Sequence, residues 1–480
     1  MSDFLNDKAE EFFHIPYLFP YQRLAISNIL DCAANPEENN PAQIVILPTG
    51  AGKSLCFMLP AVLVKGITLI IFPLLSLMAD QKRRLDSAGI PNVILRGGLE
   101  NSEKEEIFRK ISAGEIQIII ANPEILLAPG ILDRIRNAGI FHVVIDEAHT
   151  VSQWGDTFRP SYLRMGEVIA AIKPAVTTAF TATASAEILN RFREVIFSGQ
   201  NPNIIRADPD RPNIRYDVVR YISKTASLIS VVKNSMKPLI IFCSSRDGTE
   251  ITARKLRKEL NTDDVFFYHA GLERDEKKNI EDLFFRSATA ILVATCAYGM
   301  GVDKPDIRTV IHADIPTSAE AYLQESGRGG RDRKQAYAIA MVPYMPVQSQ
   351  DRRQQQLFDI FQGNRCRRKE LLHILENENE LCSGCDVCDR KVIPIEGKDE
   401  ITELVRKNNG RMTLYDAVRI LKGNRLEDSP GKRYAASDSW GRLSLWDEKE
   451  IRYAISALIK AGELKLCTDL IRRGKLRINK

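Results

Sequence analysis

One short segment constrains this chain more than any other. The apolar run Gln43–Leu47 passes into Pro48-Thr49-Gly50-Ala51-Gly52-Lys53-Ser54 and then into an apolar helical stretch. Strand, glycine-rich turn, Lys-Ser and helix together are the context of a phosphate-binding loop. The glycines let backbone N–H groups and the helix N-terminus face phosphates. Lys53 can neutralise β- and γ-phosphate charge, and the Ser54 hydroxyl can ligate Mg²⁺. Thr49, Gly50, Gly52, Lys53 and Ser54 are therefore candidate nucleotide contacts. The strict pattern has glycine at position 47, where this chain has Leu47.

The surrounding sequence supplies the sheet on which such a loop must stand. Short β-branched runs occur at Gln43–Leu47, Thr68–Phe72, Ile116–Ile120, His142–Ile145, Pro238–Phe242, Ala290–Val293 and Thr309–His312. Between them lie helix-like stretches such as Glu105–Ala113, Ile251–Leu260 and Glu273–Phe285. Continuous apolar strands alternating with helices predict parallel sheets covered on both faces. The pattern occurs twice, and DPDRP at Asp208–Pro212 breaks it. Two α/β lobes are expected, followed by two smaller modules. The expected spans are 1–207 and 208–345 for the lobes, then 346–395 and 396–480.

Composition narrows the setting. At 480 residues with 44% hydrophobic residues, the chain can bury several cores without disulfide staples. No apolar stretch approaches the roughly 20 residues of a membrane span. The N-terminal MSDFLNDKAEEFF lacks the layout of a secretory signal, so an intracellular, reducing location is expected. That means cytoplasm or nucleoid in a bacterium and nucleus in a eukaryote. The net charge of +5 is uneven. From Ile401 onward there are 18 Lys and Arg against 10 Asp and Glu, a local +8, so the rest sums to −3. A basic C-terminal face suits phosphate binding; a solvated face without a partner is the alternative.

Two further motifs complete a nucleotide-hydrolysing set. His142-Val143-Val144-Ile145-Asp146-Glu147-Ala148-His149 delivers adjacent carboxylates at the end of an apolar strand, where open α/β sheets bind ligands. Asp146 is expected to hold Mg²⁺ and Glu147 to orient the attacking water. In Gln324-Glu325-Ser326-Gly327-Arg328-Gly329-Gly330-Arg331, the two arginines are three apart, which predicts a helical turn presenting both on one side. They would place positive charge on a γ-phosphate held between two lobes, with a structural ion-pair role as the alternative. Further on, Cys366 and the close set Cys382, Cys385 and Cys388 offer four thiolates, which suits a closed, structural, tetrahedral Zn²⁺ site; redox chemistry or an iron–sulfur cluster is the competing reading. Arg365, Arg367 and Arg368 flank the first cysteine, as DNA-phosphate contacts or as solvated charge. Beyond Ile401 the sequence predicts helices at Ile401–Lys407, Leu414–Leu421 and Glu448–Ala461, then strands at Glu463–Cys467 and Lys475–Ile478. That order suits a winged-helix domain, and a protein-docking module is the alternative.

With these motifs in order, the chain resembles superfamily 2 helicases, and DEAHTVSQWGDTFRPSY at 146–162 resembles the aromatic-rich loop of the RecQ family nearly residue for residue. Trp154 and Phe158 can stack on single-stranded bases while Arg159 meets phosphate. The resemblance covers most of the chain. It implies an ATP-dependent, 3′-to-5′ DNA helicase of two RecA-like lobes, a helical zinc-binding subdomain and a winged-helix-like domain. It further implies ATP, Mg²⁺ and Zn²⁺ as cofactors, single-stranded DNA and duplex junctions as partners, and work in repair or recombination beside other repair proteins. No membrane partner is expected, nor a further C-terminal domain of the kind some relatives carry, and a monomer is expected. The motifs Pro73–Met78, Phe180–Ala184, Tyr268–Leu272 and Ala294–Asp303 fall in the family order. By resemblance, Ser76, Ser244, Arg246 and His269 join Trp154, Phe158 and Arg159 at DNA, although His269 taken alone reads as structural. Gln22 and Asp303 face the nucleotide, and His149, Thr181, Thr183 and Gln324 couple the sites. The chain departs from the family at Phe19, where an arginine is usual in the adenine motif, and at Gly329 and Arg333, where alanine and glycine are usual. Phe19 could stack on the base while Gln22 bonds its edge. An RNA helicase and an ATP-switched junction-binding or annealing protein are the competing functions.

Overall fold

The computed structural model describes residues 4–48, 51–153, 160–182, 184–296, 298, 304–375, 381–424, 438–469 and 472–479. They form two compact units, one built on Met1–Arg211 and the other on Pro212–Tyr298, Lys304–Leu371 and Glu380–Lys480. Among the described residues no helix is long and apolar enough to cross a membrane.

The first unit is a seven-stranded sheet of β1 (Ala42–Ile46), β2 (Ile67–Ile71), β3 (Asn92–Leu95), β4 (Ile118–Ala121), β5 (Ile140–Ile145), β6 (Val176–Thr181) and β7 (Asn203–Arg206). Their order is β3-β4-β2-β5-β6-β1-β7, and every pairing is parallel. All five residues of β1 and of β2 are buried, as are all six of β5 and of β6, because helices cover both faces. Two apolar clusters lie on the two sides. One gathers Ile44, Leu69, Val143 and Phe192, the other Val45, Phe57, Ile70 and Phe180. Alternate residues of one strand thus serve opposite cores.

The second unit repeats the plan with β8 (Ile214–Tyr221), β9 (Leu239–Phe242), β10 (Val265–Tyr268), β11 (Ile291–Ala294), β12 (Thr309–His312) and β13 (Ala336–Pro343). The order is β10-β11-β9-β12-β13-β8, again wholly parallel. The predicted strands and helices lie within a few residues of those observed. The sequence reading passed over β3, β6, β7, β8, β10 and β13, and began the helix Arg246–Leu260 five residues late. Its polar first turn shows no apolar period and is set instead by Ser245, whose side chain caps Gly248 N–H at 3.0 Å.

As the outermost strand, β8 would expose unpaired backbone groups, and the cysteine-bearing segment covers them. Tyr216 N–H donates to the Gly384 carbonyl (3.3 Å) and Asp386 N–H to the Tyr216 carbonyl (3.2 Å). Arg368, wholly buried, donates to the Ile214 carbonyl and sits 5.0 Å above the Tyr216 ring. Arg367, also buried, pairs with Asp386 (3.1 Å) and donates to the Ile360 and Gly363 carbonyls. This corrects the reading of Arg367 and Arg368 as phosphate contacts or solvated charge. Both guanidiniums are buried against protein partners, Arg367 on the cysteine segment and the preceding helix and Arg368 on β8, and of the three only Arg365 is exposed, its side chain 83% accessible.

At the C-terminus, helices Lys398–Lys407, Leu414–Lys422 and Glu448–Lys460 precede the antiparallel hairpin β14 (Leu464–Leu466) and β15 (Leu476–Ile478). A third extended stretch, just before Leu414, pairs with β15. Thr413 bridges Lys475, and Leu476 N–H donates to the Met412 carbonyl at 2.9 Å. Ile222, directly after β8, belongs to this module's core with Leu404, Leu421, Trp446 and Ile455. Beside that core, Lys398 Nζ reaches Tyr344 Oη and Glu463 Oε1, each at 2.8 Å. These contacts explain why the module clusters with the second sheet. Replacing Arg368 with alanine should leave the Ile214 carbonyl and the Tyr216 face unpaired and destabilise the chain by about 3 kcal/mol. Urea unfolding measures it, and a loss below about 1 kcal/mol would contradict the buried role.

Candidate ATP site and associated centres

The ends of β1, β5 and β6 meet through backbone hydrogen bonds. Leu47 N–H donates to the Thr181 carbonyl (3.0 Å), Asp146 N–H to Ile71 (3.0 Å) and Ala148 N–H to Phe180 (2.8 Å). The lysine after β1 and the two carboxylates after β5 therefore stand at one edge of the sheet, on either side of the β6 end. Lys53 Nζ lies 2.9 Å from Glu147 Oε1, with both side chains 11% exposed. Glu147 takes a left-handed backbone, φ +49°, a conformation that costs energy outside glycine and concentrates at functional sites. His149 Nδ1 lies 3.4 Å from Glu147 Oε2 and 3.3 Å from Thr181 Oγ1, so two of the predicted coupling residues do meet.

Asp146 is the other buried acid. Its Oδ1 has no hydrogen-bond partner among the described residues. Burial pushes its pKa up to about 6; Lys53 opposes the shift and Glu147 adds to it. A buried carboxylate oxygen with no donor is a site a hard cation can complete, and Ser54 at the start of the helix Lys53–Leu63 offers a second oxygen. The residues present therefore fit Mg²⁺.

Gly52 turns the loop into the helix with φ +74°, and a Cβ there would lie 2.5 Å from Gln22 Nε2. Gln22 is buried; its amide donates to the Ala51 carbonyl (3.0 Å) and its Oε1 accepts from Phe19 N–H (2.9 Å). Gln22 thus braces the phosphate loop. Phe19 stacks on Tyr21 with ring centroids 5.5 Å apart and meets Tyr17 edge-on at 5.8 Å. Thr49 and Gly50 lie outside the described residues, as do Trp154, Phe158, Arg159, Thr183 and Asp303, and so does the Ser76 side chain.

In the second unit, Ser244 and Arg246 are exposed just past β9, and Ser244 donates through N–H and Oγ to Asp314 Oδ2 (3.0 and 3.2 Å). His269, just past β10, is buried, stacks on Phe267 at 5.7 Å and pairs through Nε2 with Glu250 (3.1 Å). A Cβ on Gly271 would come within 3.1 Å of Arg246 Nη1 and 3.2 Å of His269 Nδ1, so these residues share one spot. Gln324 is half-buried on the helix Ala319–Ser326. That helix ends before the arginines, which corrects the expected helical turn. Gly327 N–H still bonds the Leu323 carbonyl, but Arg328 and Gly329 turn back on Glu325 and Ser326, and Gly330 (φ +57°) bonds the Ile307 carbonyl at 2.8 Å. Arg328 is buried and Arg331 half-buried in this loop. Sequence reasoning missed what holds it: Asn213, Arg308 and Asp332.

The four cysteine sulfurs Cys366, Cys382, Cys385 and Cys388 lie within 4.8 Å of one another. Tetrahedral Zn–S bonds of about 2.3 Å imply sulfur separations of about 3.8 Å, so this spacing fits a closed zinc site. Burial raises the Cys385 thiol, but N–H donation from Cys388 and Arg367 outweighs it and brings the pKa below the ordinary value.

Known proteins share this architecture. The DEAD/DEAH box helicase model matches residues 19–192, and the helicase conserved C-terminal domain model matches 223–333. These matches define the class: a two-domain, ATP-dependent helicase. The ATP-dependent DNA helicase RecQ of Pasteurella multocida is 32% identical over 455 residues, 87% of this chain and 70% of that protein. RecQ-like DNA helicase blm-1 of Caenorhabditis elegans is 34% identical over 414 residues, 79% of this chain but 41% of its own length. The chain belongs to the RecQ family of DNA helicases. A solved structure, Mss116p bound to ssRNA and AMP-PNP, is similar in fold alone, with a TM-score of 0.60 and 19% identity over 96% of this chain and 89% of that one.

The raised Asp146 pKa has a thermodynamic consequence. The folded protein keeps this proton up to about pH 6, whereas an unfolded aspartate releases it near pH 4, so stability falls as pH rises through that window and stays lower above it. Asp146→Asn should therefore stabilise the nucleotide-free protein at pH 7.5 by about 1–3 kcal/mol while abolishing hydrolysis, and the gain should disappear below about pH 4. Thermal melts across pH without added Mg²⁺ or nucleotide check this; a loss of stability at pH 7.5 would contradict it.

Proposed function

We propose that this chain uses ATP hydrolysis to move 3′ to 5′ along single-stranded DNA and to separate the strands of duplex or branched DNA in repair or recombination. The observation that carries this reading is the set of Lys53, Asp146 and Glu147 brought together at one edge of the sheet, with a buried Asp146 oxygen that can take a cation. Its relatives' names, ATP-dependent DNA helicase RecQ and RecQ-like DNA helicase, agree with it.

In this reading Thr49, Gly50, Gly52, Lys53 and Ser54 bind the phosphates, and Gln22 and Asp303 complete the nucleotide contacts, with Phe19 and its aromatic neighbours beside the base. Ser54 and Asp146 hold Mg²⁺, which supplies charge neutralisation on phosphate oxygens when bound. Glu147 orients the attacking water, and Arg328 and Arg331 supply the positive charge that phosphoryl transfer needs. His149 and Thr181, already hydrogen-bonded, carry coupling onward with Thr183 and Gln324. Trp154, Phe158 and Arg159 stack on and neutralise single-stranded DNA, and Ser76, Ser244 and Arg246 contact its backbone. The burial of His269 against Glu250 favours a role in orienting Arg246. The four cysteines hold a structural Zn²⁺ within 346–395. The C-terminal helices, with a hairpin paired to a third stretch at Thr413, support a winged helix over 396–480 that grips duplex phosphates with its basic excess.

Strand separation on tailed duplexes tests this. The wild-type chain should open 3′-tailed and not 5′-tailed duplexes, with hydrolysis stimulated by single-stranded DNA well above RNA, and Lys53→Ala should lower hydrolysis at least about 100-fold and abolish opening. Hydrolysis without opening would instead make the chain an ATP-switched binding protein, and stronger stimulation by RNA would make it an RNA helicase.

A further inference from the structure

The loop carrying Arg328 and Arg331 is held in place by a residue far away in sequence. Both amide hydrogens of Asn213 are used on it: Nδ2 donates to the Gly330 carbonyl and to the Lys334 carbonyl, each at 2.8 Å. Two carbonyls four residues apart are thus drawn onto one nitrogen, which closes the loop like a clasp. The fit is tight. A Cβ on Gly330 would lie 2.5 Å from Asn213 Nδ2 and 2.6 Å from the Lys334 carbonyl, so the position needs glycine for space as well as for its φ of +57°.

The clasp has a firm base. The Asn213 carbonyl accepts from Ala336 N–H (2.9 Å) and Gln335 Nε2 (3.2 Å), where β8 and β13 begin to pair. The next residue, Ile214, is held by the buried Arg368. Opposite the clasp, Arg308 bonds the Asp332 carboxylate and the Gln335 carbonyl, while Asp332 N–H reaches Pro305 (3.1 Å). The loop is therefore fixed from two sides, and Asn213 supplies the side nearer Gly330, between the two arginines.

We propose that Asn213 is a positioning residue for ATP hydrolysis, setting the place of Arg328 and Arg331 without touching nucleotide. This rests on the reading of those arginines as the charge that stabilises phosphoryl transfer. Aspartate is nearly isosteric but has no hydrogen to donate and sets its charge against two carbonyls, so it loses the clasp while keeping the volume. Because the arginines act as charge develops, displacing them lowers kcat and leaves ground-state nucleotide binding alone.

The test is a double-mutant cycle on the full chain at saturating single-stranded DNA, using Asn213→Ala, Asn213→Asp, Arg331→Ala and each Asn213 variant combined with Arg331→Ala. Thermal melts and zinc content confirm that each variant is folded. The proposal expects kcat to fall about 10- to 100-fold in both Asn213 variants, with KM for ATP and AMP-PNP affinity within about twofold. It also expects each double variant to fall below Arg331→Ala by clearly less than the loss seen in the Asn213 single variant, because the share that acts through Arg331 is already gone. If Arg331→Ala is slow but both Asn213 variants keep near-normal kcat, the positioning role is overturned while the arginine reading stands. Additive losses in the double variants, or a matching loss of AMP-PNP affinity, likewise overturn it. If Arg331→Ala itself hydrolyses normally, the arginine reading falls and the proposal falls with it.

Discussion

The ion pair between Lys53 and Glu147 ties together the first unit's strand ends. It forms only because parallel strands bring their C-terminal ends to one edge, so that a loop after β1 and a turn after β5 deliver side chains to the same place. The pair is largely buried, and two desolvated charges must satisfy each other closely to persist. Among the described residues the Oδ1 of Asp146, one residue away, has no hydrogen-bond partner, and burial drives the group toward its protonated form against the opposing charge of Lys53. The left-handed backbone at Glu147 adds a further cost. Such features weaken an isolated domain, and they make sense where an incoming phosphate and cation replace the internal partners.

The second unit is organised around one strand. On its outer edge β8 receives the cysteine segment, at its start Asn213 clasps the arginine loop, and past its end Ile222 enters the C-terminal core. The buried Arg368 beside Cys366 fastens the first of these to the second. The cysteine-bearing segment in this position pins the strand from which the arginine loop hangs.

Much of this was legible in the sequence because it rests on local signals. Apolar runs mark buried parallel strands, and Pro48–Ser54 and Asp146–Glu147 declare their chemistry through residue type and strand context. The four cysteines need only spacing, and their sulfurs do converge. What stayed hidden depends on partners distant in the chain. Arg367 and Arg368 look like solvent-facing charge until Asp386, Tyr216 and Ile214 surround them. A spacing of three between Arg328 and Arg331 suggests a helix, but glycines at 327, 329 and 330 end it. Asn213 carries no motif chemistry of its own; its role comes from carbonyls more than a hundred residues away. Gln22 reads as an adenine contact, whereas its amide also braces Ala51.

The central claim is that Glu147 restrains Lys53 before nucleotide arrives and serves hydrolysis afterwards. Measuring AMP-PNP affinity and single-turnover ATP hydrolysis in Glu147→Gln, both with Mg²⁺ and single-stranded DNA, tests both halves at once. The account predicts nucleotide binding as tight as wild type or tighter, because a competitor for Lys53 is weakened, together with hydrolysis at least about 100-fold slower. Hydrolysis within about tenfold of wild type, or a clear loss of nucleotide affinity, would contradict it.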